Sequence, residues 1–149
     1  MRASLVAGLT LLLAVGACGP AIETRALGFS VDADANDRSP VPIELVVAYD
    51  PEVVPLLLEL TARQWFERRS QLLLDHPTAL RSELWELVPG QELPIERLPL
   101  PRDDAHAAVI YADYLTPGAH RIRIDPYRRV LVRVTREELV VDTEAENRE

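Results

Sequence analysis

Alternating apolar and polar positions open the chain's folded part. From Leu27 onward, Leu27, Phe29 and Val31 fall on one side and Gly28, Ser30 and Asp32 on the other. That period of two predicts a half-buried strand. The stretch Asp34 to Pro42 is polar and holds two prolines, the grammar of a loop. A second strand is predicted over Ile43 to Tyr49, with Leu45 and Val47 alternating against Glu44, Val46 and Ala48, and Asp50-Pro51 ending it. The period then changes. Pro55 suits the first turn of a helix, and Leu57, Leu58, Leu60, Trp65 and Phe66 form an apolar stripe near helical spacing. One helix is expected to about Arg69, with Leu72 to Leu74 as an extra turn, Glu59 and Arg63 paired on its exposed side, and Asp75-His76-Pro77 as its stop.

Strand patterning returns at Glu83 to Val88, where Leu84, Trp85 and Leu87 are available for burial. Pro89-Gly90 predicts a type II turn, since Pro sets φ and Gly accepts a positive one. A short edge strand around Ile95 and Leu98, a central strand over His106 to Tyr114, and further strands over His120 to Asp125, Val130 to Val134 and Leu139 to Val141 complete the set. Eight short strands with one helix between the second and third predict a mainly β fold, an antiparallel two-sheet β-sandwich.

The first seventeen residues follow another logic. Arg2 supplies a positive start, Leu5 to Val15 are apolar apart from Gly8 and Thr10, and Val15-Gly16-Ala17 place small residues before Cys18. The apolar run is short for a membrane span and fits a cleaved signal peptide. The same tetrad fits a lipobox, so Cys18 is the predicted lipid-attachment residue, carrying a covalent diacylglycerol and an N-acyl chain such as palmitate. Cys18 is the only cysteine, so the folded body has no disulfide. The expected divisions are a signal peptide over 1–17, a lipidated tether over 18–25, a sandwich domain over 26–142 and an acidic tail over 143–149. Gly19, where an Asp would signal inner-membrane retention, points to the outer membrane, facing the periplasm.

Charge removes other classes. The 149 residues carry 24 acidic and 16 basic groups, a formal −8; loss of Arg2 with the leader takes −8 to −9. A general nucleic-acid binder needs a basic surface, and net charge of this sign also opposes adhesion to anionic lipid. Every basic residue is Arg, which by itself assigns no function.

Catalytic and metal chemistry find little support. His76, His106 and His120 sit at a helix end, a strand start and a hairpin edge, outside any zinc spacing. Asp103-Asp104 with His106 forms a nominal metal set, but adjacent carboxylates after a proline usually make a solvated loop. Gly-x-Ser-x-Gly and Gly-rich phosphate loops are missing, and the body has no thiol nucleophile. Glu83 and Glu86, three apart in a strand, face opposite ways and make a poor glycosidase pair. No enzyme, metal or cofactor is expected.

A family resemblance rests on Asn36 to Tyr49 (NDRSPVPIELVVAY), Trp65-Phe66 on the helix, Trp85 to Gly90 (WELVPG) and Ala112 to Arg121 (ADYLTPGAHR). Together with the lipobox and the order of elements, these segments resemble the TssJ (SciN, VasD) lipoproteins of the type VI secretion system, over roughly Leu27 to Val141. The tyrosine-glutamine-leucine step after that family's second strand is replaced by Val47-Ala48-Tyr49-Asp50, which implies a divergent subgroup. The resemblance implies a transthyretin-like sandwich tethered to the outer membrane. Its partner would be the periplasmic part of a TssM-like inner-membrane protein, with TssL and TssA-type factors at one remove and room for a ring-like assembly. It also implies partner contact through the loop Asp34 to Val41, with Asn36, Asp37, Arg38 and Ser39 as the exposed tip. A polar loop on a rigid scaffold is where binding residues collect.

Two rival classes are a periplasmic ligand-binding lipoprotein and an envelope hydrolase using His106 or His120 with a nearby Asp. The first needs an aromatic-lined pocket, and aromatics are only 5% of the chain. Alanine at each histidine tests the second.

Overall fold

A computed structural model describes residues 22–142. The expected signal peptide over 1–17, Cys18, the first part of the expected tether and the acidic tail over 143–149 lie outside the described residues.

Eight strands occur among the described residues: β1 (Ala26–Val31), β2 (Val41–Ala48), β3 (Leu80–Leu87), β4 (Glu92–Arg97), β5 (Ala107–Ala112), β6 (Arg121–Arg123), β7 (Arg129–Val134) and β8 (Leu139–Asp142). They form two four-stranded sheets, ordered β4-β1-β7-β8 and β3-β2-β5-β6. The pairings are antiparallel except β1 with β7, which run parallel from Ala26↔Arg129 to Val31↔Val134. The sandwich expectation holds, with that one parallel pair inside it.

The first sheet keeps the predicted alternation. Leu27, Phe29 and Val31 from β1 and Val130, Val132 and Val134 from β7 enter the core between the sheets. Opposite positions such as Ser30, Arg129 and Arg133 reach solvent. The second sheet does not alternate as expected, because both its faces are covered. Val41, Ile43, Leu45 and Val47 join the inter-sheet core, whereas Val46 and Ala48, with Val109 and Tyr111 of β5, form a second core beneath the helices. A strand buried on both faces needs mostly apolar residues, which accounts for the apolar run in β2, interrupted after Pro42 only by Glu44, and for that in β5.

The helical segment is a second correction. It comprises a 3₁₀ turn (Pro51–Val53), α1 (Val54–Glu59) and α2 (Ala62–Asp75) in place of one continuous helix. Leu60 turns extended, and Thr61 starts α2 with a capping box shared with Gln64. The break removes the expected Glu59–Arg63 pair; Arg63 instead donates to the Tyr114 carbonyl at 3.1 Å. Leu57, Leu60, Ala62, Trp65 and Leu72 are buried, while Leu58 and Phe66 are half-buried. Trp65 stacks on Tyr111 at 5.2 Å, so this aromatic is an anchor in the core.

β3 is an edge strand; Leu84 is exposed, Trp85 is partly buried and Leu87 is buried. Gly90 takes φ +79 in the predicted turn. None of the described helices is long and apolar enough to cross a membrane.

Connectivity gives the sandwich two distinct ends. At one, here the tether end, the segment Ile22–Arg25 enters, joined by the β4–β5 and β6–β7 connections. The described part of the tether is docked there: Ile22 is buried, Glu23 N–H donates to the Asp125 carbonyl, and the Thr24 hydroxyl donates to the Ile124 carbonyl at 2.6 Å. At the other, distal end stand the β1–β2, β3–β4, β5–β6 and β7–β8 connections. Six residues of β1 separate the ends by about 20 Å at ~3.3 Å per residue.

Candidate functional site

The loop that the sequence singles out crosses from one sheet to the other at the distal end. Residues Ala35–Arg38 form a single tight turn. Asn36, Asp37 and Arg38 have φ of 48, 55 and 62, which makes the turn left-handed. L-residues avoid this region because Cβ crowds the following carbonyl, at roughly 1–2 kcal/mol per residue. Three consecutive non-glycine residues there need a surrounding structure that holds them.

Asn36 supplies much of that hold. Its backbone N–H donates to the Arg136 carbonyl at 3.1 Å, its Nδ2 donates to the Pro40 carbonyl at 2.9 Å, and its Oδ1 accepts from the Leu115 N–H at 2.7 Å. The Asn36 side chain thereby joins the β1–β2 and β5–β6 connections, and its backbone N–H adds the β7–β8 connection. The exposed tip expected over Asn36 to Ser39 is therefore corrected: Asn36 is 3% exposed and faces inward, and Ser39 is half-buried. Asp37 and Arg38 are exposed as expected. Asp37 pairs with Arg136 at 3.0 Å, a surface contact worth at most about 1 kcal/mol.

Around this turn stand groups that the sequence reading passed over. Leu115 follows the buried Tyr114 and is 63% exposed. Tyr114 donates its hydroxyl toward the Glu138 and Thr135 carbonyls at 2.8 and 3.2 Å, which ties the β5–β6 connection to the β7–β8 turn. Burial, with Asp32 and Glu138 nearby, raises its phenol well above the ordinary value. His120 lies against the Tyr114 ring at 4.6 Å and contacts the Thr116 carbonyl at 2.8 Å. Arg63 approaches Asp113 at 3.7 Å, and Asp113 Oδ1 is buried without a hydrogen bond. A shallow cleft of about 490 Å³ opens beside the turn, lined by Asp32, Asp34, Thr135, Arg136, Glu137 and Glu138. The distal end thus presents a fixed turn, an exposed leucine and a polar cleft, a geometry suited to holding a macromolecular partner.

The nominal metal and acid–base residues are not brought together. His76 caps the end of α2, His106 begins β5 at the tether end, and His120 is at the distal end. Among the described residues no three His, Cys, Asp or Glu side chains form a metal-binding group.

A further polar cluster lies in the helix–sheet core. Glu44, with no solvent exposure, accepts from Trp65 Nε1 at 2.8 Å and from Arg69 Nε and Nη2 at 2.7 and 2.9 Å. Hydrogen bonding to Glu44 holds the Arg69 guanidinium above its ordinary pKa. Trp65 and Arg69, four apart on α2 and so on one face, together with a lone acid inside the apolar run of β2, were the available sequence signal.

No protein-family model and no curated protein sequence matches this chain. Solved structures do. The chain is similar to Serratia marcescens Lip, described as a membrane-bound component of the type VI secretion system, with a TM-score of 0.59 and 14% identity over 80% of this chain and 95% of that one. It is also similar to TssJ1 of Pseudomonas aeruginosa, a type VI secretion lipoprotein, with a TM-score of 0.60 and 14% identity over 83% and 96% of the two chains. The fold of this chain is the one those two lipoproteins share.

Proposed function

We propose that this chain is an outer-membrane lipoprotein that anchors the trans-envelope complex of a type VI secretion system. Acyl chains on Cys18 hold it in the membrane, facing the periplasm, and its distal end binds the periplasmic part of a TssM-like inner-membrane protein. The observation that carries this reading is the polarity of the sandwich. Ile22, four positions after Cys18, docks at one end, and the strained turn with its neighbouring loops stands at the other. A membrane tether and a partner surface placed this way act in line, as an anchor under load requires. The likeness to two secretion lipoproteins supports the same reading.

The role is mechanical, without catalysis. Each buried methylene of an acyl chain contributes ~0.8 kcal/mol, and two or more chains make attachment effectively permanent. The two packed cores give the load a stiff mount. The partner surface combines Asp37 and Arg38 of the turn with Leu115 of the β5–β6 connection; Asn36 positions both, and Ser39 flanks them.

The reading is tested by crosslinking cells, recovering the chain and identifying what comes with it. One large inner-membrane secretion protein is expected with the wild type and is expected to be lost with Leu115→Asp. Cys18→Ser is expected to leave the membrane fraction depleted of mature protein and secretion impaired. Recovery of no such partner, or secretion unaffected by Cys18→Ser, rejects the proposal.

A further inference from the structure

The tether end carries a second cavity system that the anchoring role does not use. A cleft of about 850 Å³ is lined by Arg25, Arg97, Arg102 and Asp103 around the segment Leu98–Pro101. Arg102 donates to the Ile22 carbonyl at 3.3 Å, which fixes it beside the entering chain. Among the described residues Arg25 and Arg97 form no ion pair. That is unexpected in a chain with 24 acidic and 16 basic groups, where partners are in excess. Asp103 is the one acidic group in the lining, so the cleft is positive within a negative protein.

The cleft adjoins an apolar slot. Where the sandwich is open between the edge strands β3 and β4, a cavity of about 210 Å³ is lined by Leu27, Phe29, Trp85 and Leu93, with Glu83 and Glu96 also in its wall. Arg97 and Pro99 line both spaces, so the charged compartment and the largely apolar one share a wall. Phe29 and Trp85 form the slot's aromatic wall, with ring centroids 5.4 Å apart. Guanidinium groups match phosphate oxygens in geometry and charge, and an apolar slot next to such a site fits a hydrocarbon chain.

We propose that this cleft and slot seat one anionic phospholipid, with its phosphate on Arg25, Arg97 and Arg102 and the upper part of one acyl chain against Trp85 and Phe29. Position and charge select this occupant. The site lies at the end where the chain leads back toward Cys18, so membrane lipid is the amphiphile at hand. Its physiological setting rests on the lipoprotein reading, whereas its chemistry does not. Occupied, it fixes the orientation of the sandwich on the membrane, which flexible acyl chains alone leave free. The net negative charge still disfavours general adhesion to anionic lipid; this site takes a single molecule.

The test uses the chain from Gly19 onward, which retains every described residue and both cores and carries neither leader nor acyl group. It is mixed with vesicles of phosphatidylglycerol or of phosphatidylcholine, plain or with brominated acyl chains. Co-sedimentation with phosphatidylglycerol alone is expected, with bromine quenching of Trp85 emission, while Trp65 in the helix core stays unquenched. Arg25→Gln with Arg97→Gln is expected to lower binding roughly thirtyfold at unchanged thermal stability, and Trp85→Phe to remove the quenching. Binding to neither vesicle, equal binding to both, or full binding by the double variant overturns the proposal. So does complete displacement by millimolar inorganic phosphate without quenching in the lipid-bound state, which marks a bare anion site. No secretion partner or modified Cys18 enters this assay, so its failure is separable from failure of the anchor reading.

Discussion

Asn36 Oδ1 accepts the backbone N–H of Leu115 at 2.7 Å, across 79 positions of sequence. A buried side chain in one loop thus sets the height of an exposed side chain in another. The two residues are expected to respond differently to mutation. Asn36→Ala leaves the Leu115 and Pro40 groups unpartnered and is expected to lower stability by about 2 kcal/mol, read from urea unfolding, and to weaken partner capture with it. Leu115→Asp alters a side chain that is mostly exposed, so stability is expected to stay within about 0.5 kcal/mol while partner recovery is lost. Equal loss of stability in both variants contradicts this division of roles.

The left-handed turn predicts an unusual gain. Arg38 has φ 62 and is exposed, so Arg38→Gly relieves roughly 1–2 kcal/mol of crowding and adds roughly 0.5–1 kcal/mol of chain entropy to the unfolded state. A net stabilisation of about 0.5 kcal/mol is expected, seen as a higher melting temperature. If the turn is kept strained for binding, the same variant captures partner less well, because glycine lets the turn relax. A destabilised Arg38→Gly protein means that the turn is not strained.

Glu44 and Arg69 predict a non-additive pair. Arg69→Met strands a carboxylate with no solvent exposure and is expected to cost about 3 kcal/mol, at the low end for buried pairs because the Arg69 side chain is 31% exposed. Glu44→Leu combined with Arg69→Met removes both charges and is expected to cost only the roughly 1–3 kcal/mol of the Trp65 N–H left without its acceptor, less than the sum of the single losses. Urea unfolding of the two single variants and the double variant gives the coupling directly; additive losses refute it.

Much of the fold was legible in the chain, and the failures share a cause. The alternation at Leu27, Phe29 and Val31 located β1 because only one face of that sheet is covered. In β2 the same reading misjudged Val46 and Ala48, since nothing local tells a strand that helices cover its second face. The break at Leu60–Thr61 was written in Thr61 and Gln64, a capping pair that the surrounding apolar stripe masked. In the candidate site, Asp37 and Arg38 were located from composition and family likeness. Asn36 was given the wrong orientation, because its three partners lie in other loops or across the turn. Leu115 had no local signal at all, for exposure of a leucine is decided by tertiary packing.

Tyr111 and Tyr114 make the alkaline limit of the fold predictable. Burial is the largest cause raising both phenols well above their ordinary value of 10.0. The sign follows from proton counting: above pH 10 the unfolded chain releases these protons and the folded chain keeps them, so the folded state binds more. Stability is therefore full below about pH 10 and falls as pH rises, at up to about 1.4 kcal/mol per pH unit for each tyrosine. Tyr114→Phe is expected to make that slope shallower, although it costs about 1 kcal/mol at neutral pH through the lost bond to the Glu138 carbonyl. Phenolate absorbance followed together with circular dichroism checks this, because these two tyrosines should ionise only as the chain unfolds. Their ionisation in a still-folded protein would show that water reaches the Tyr114 hydroxyl, and that the β7–β8 turn is not fastened to the β5–β6 connection as the distal surface requires.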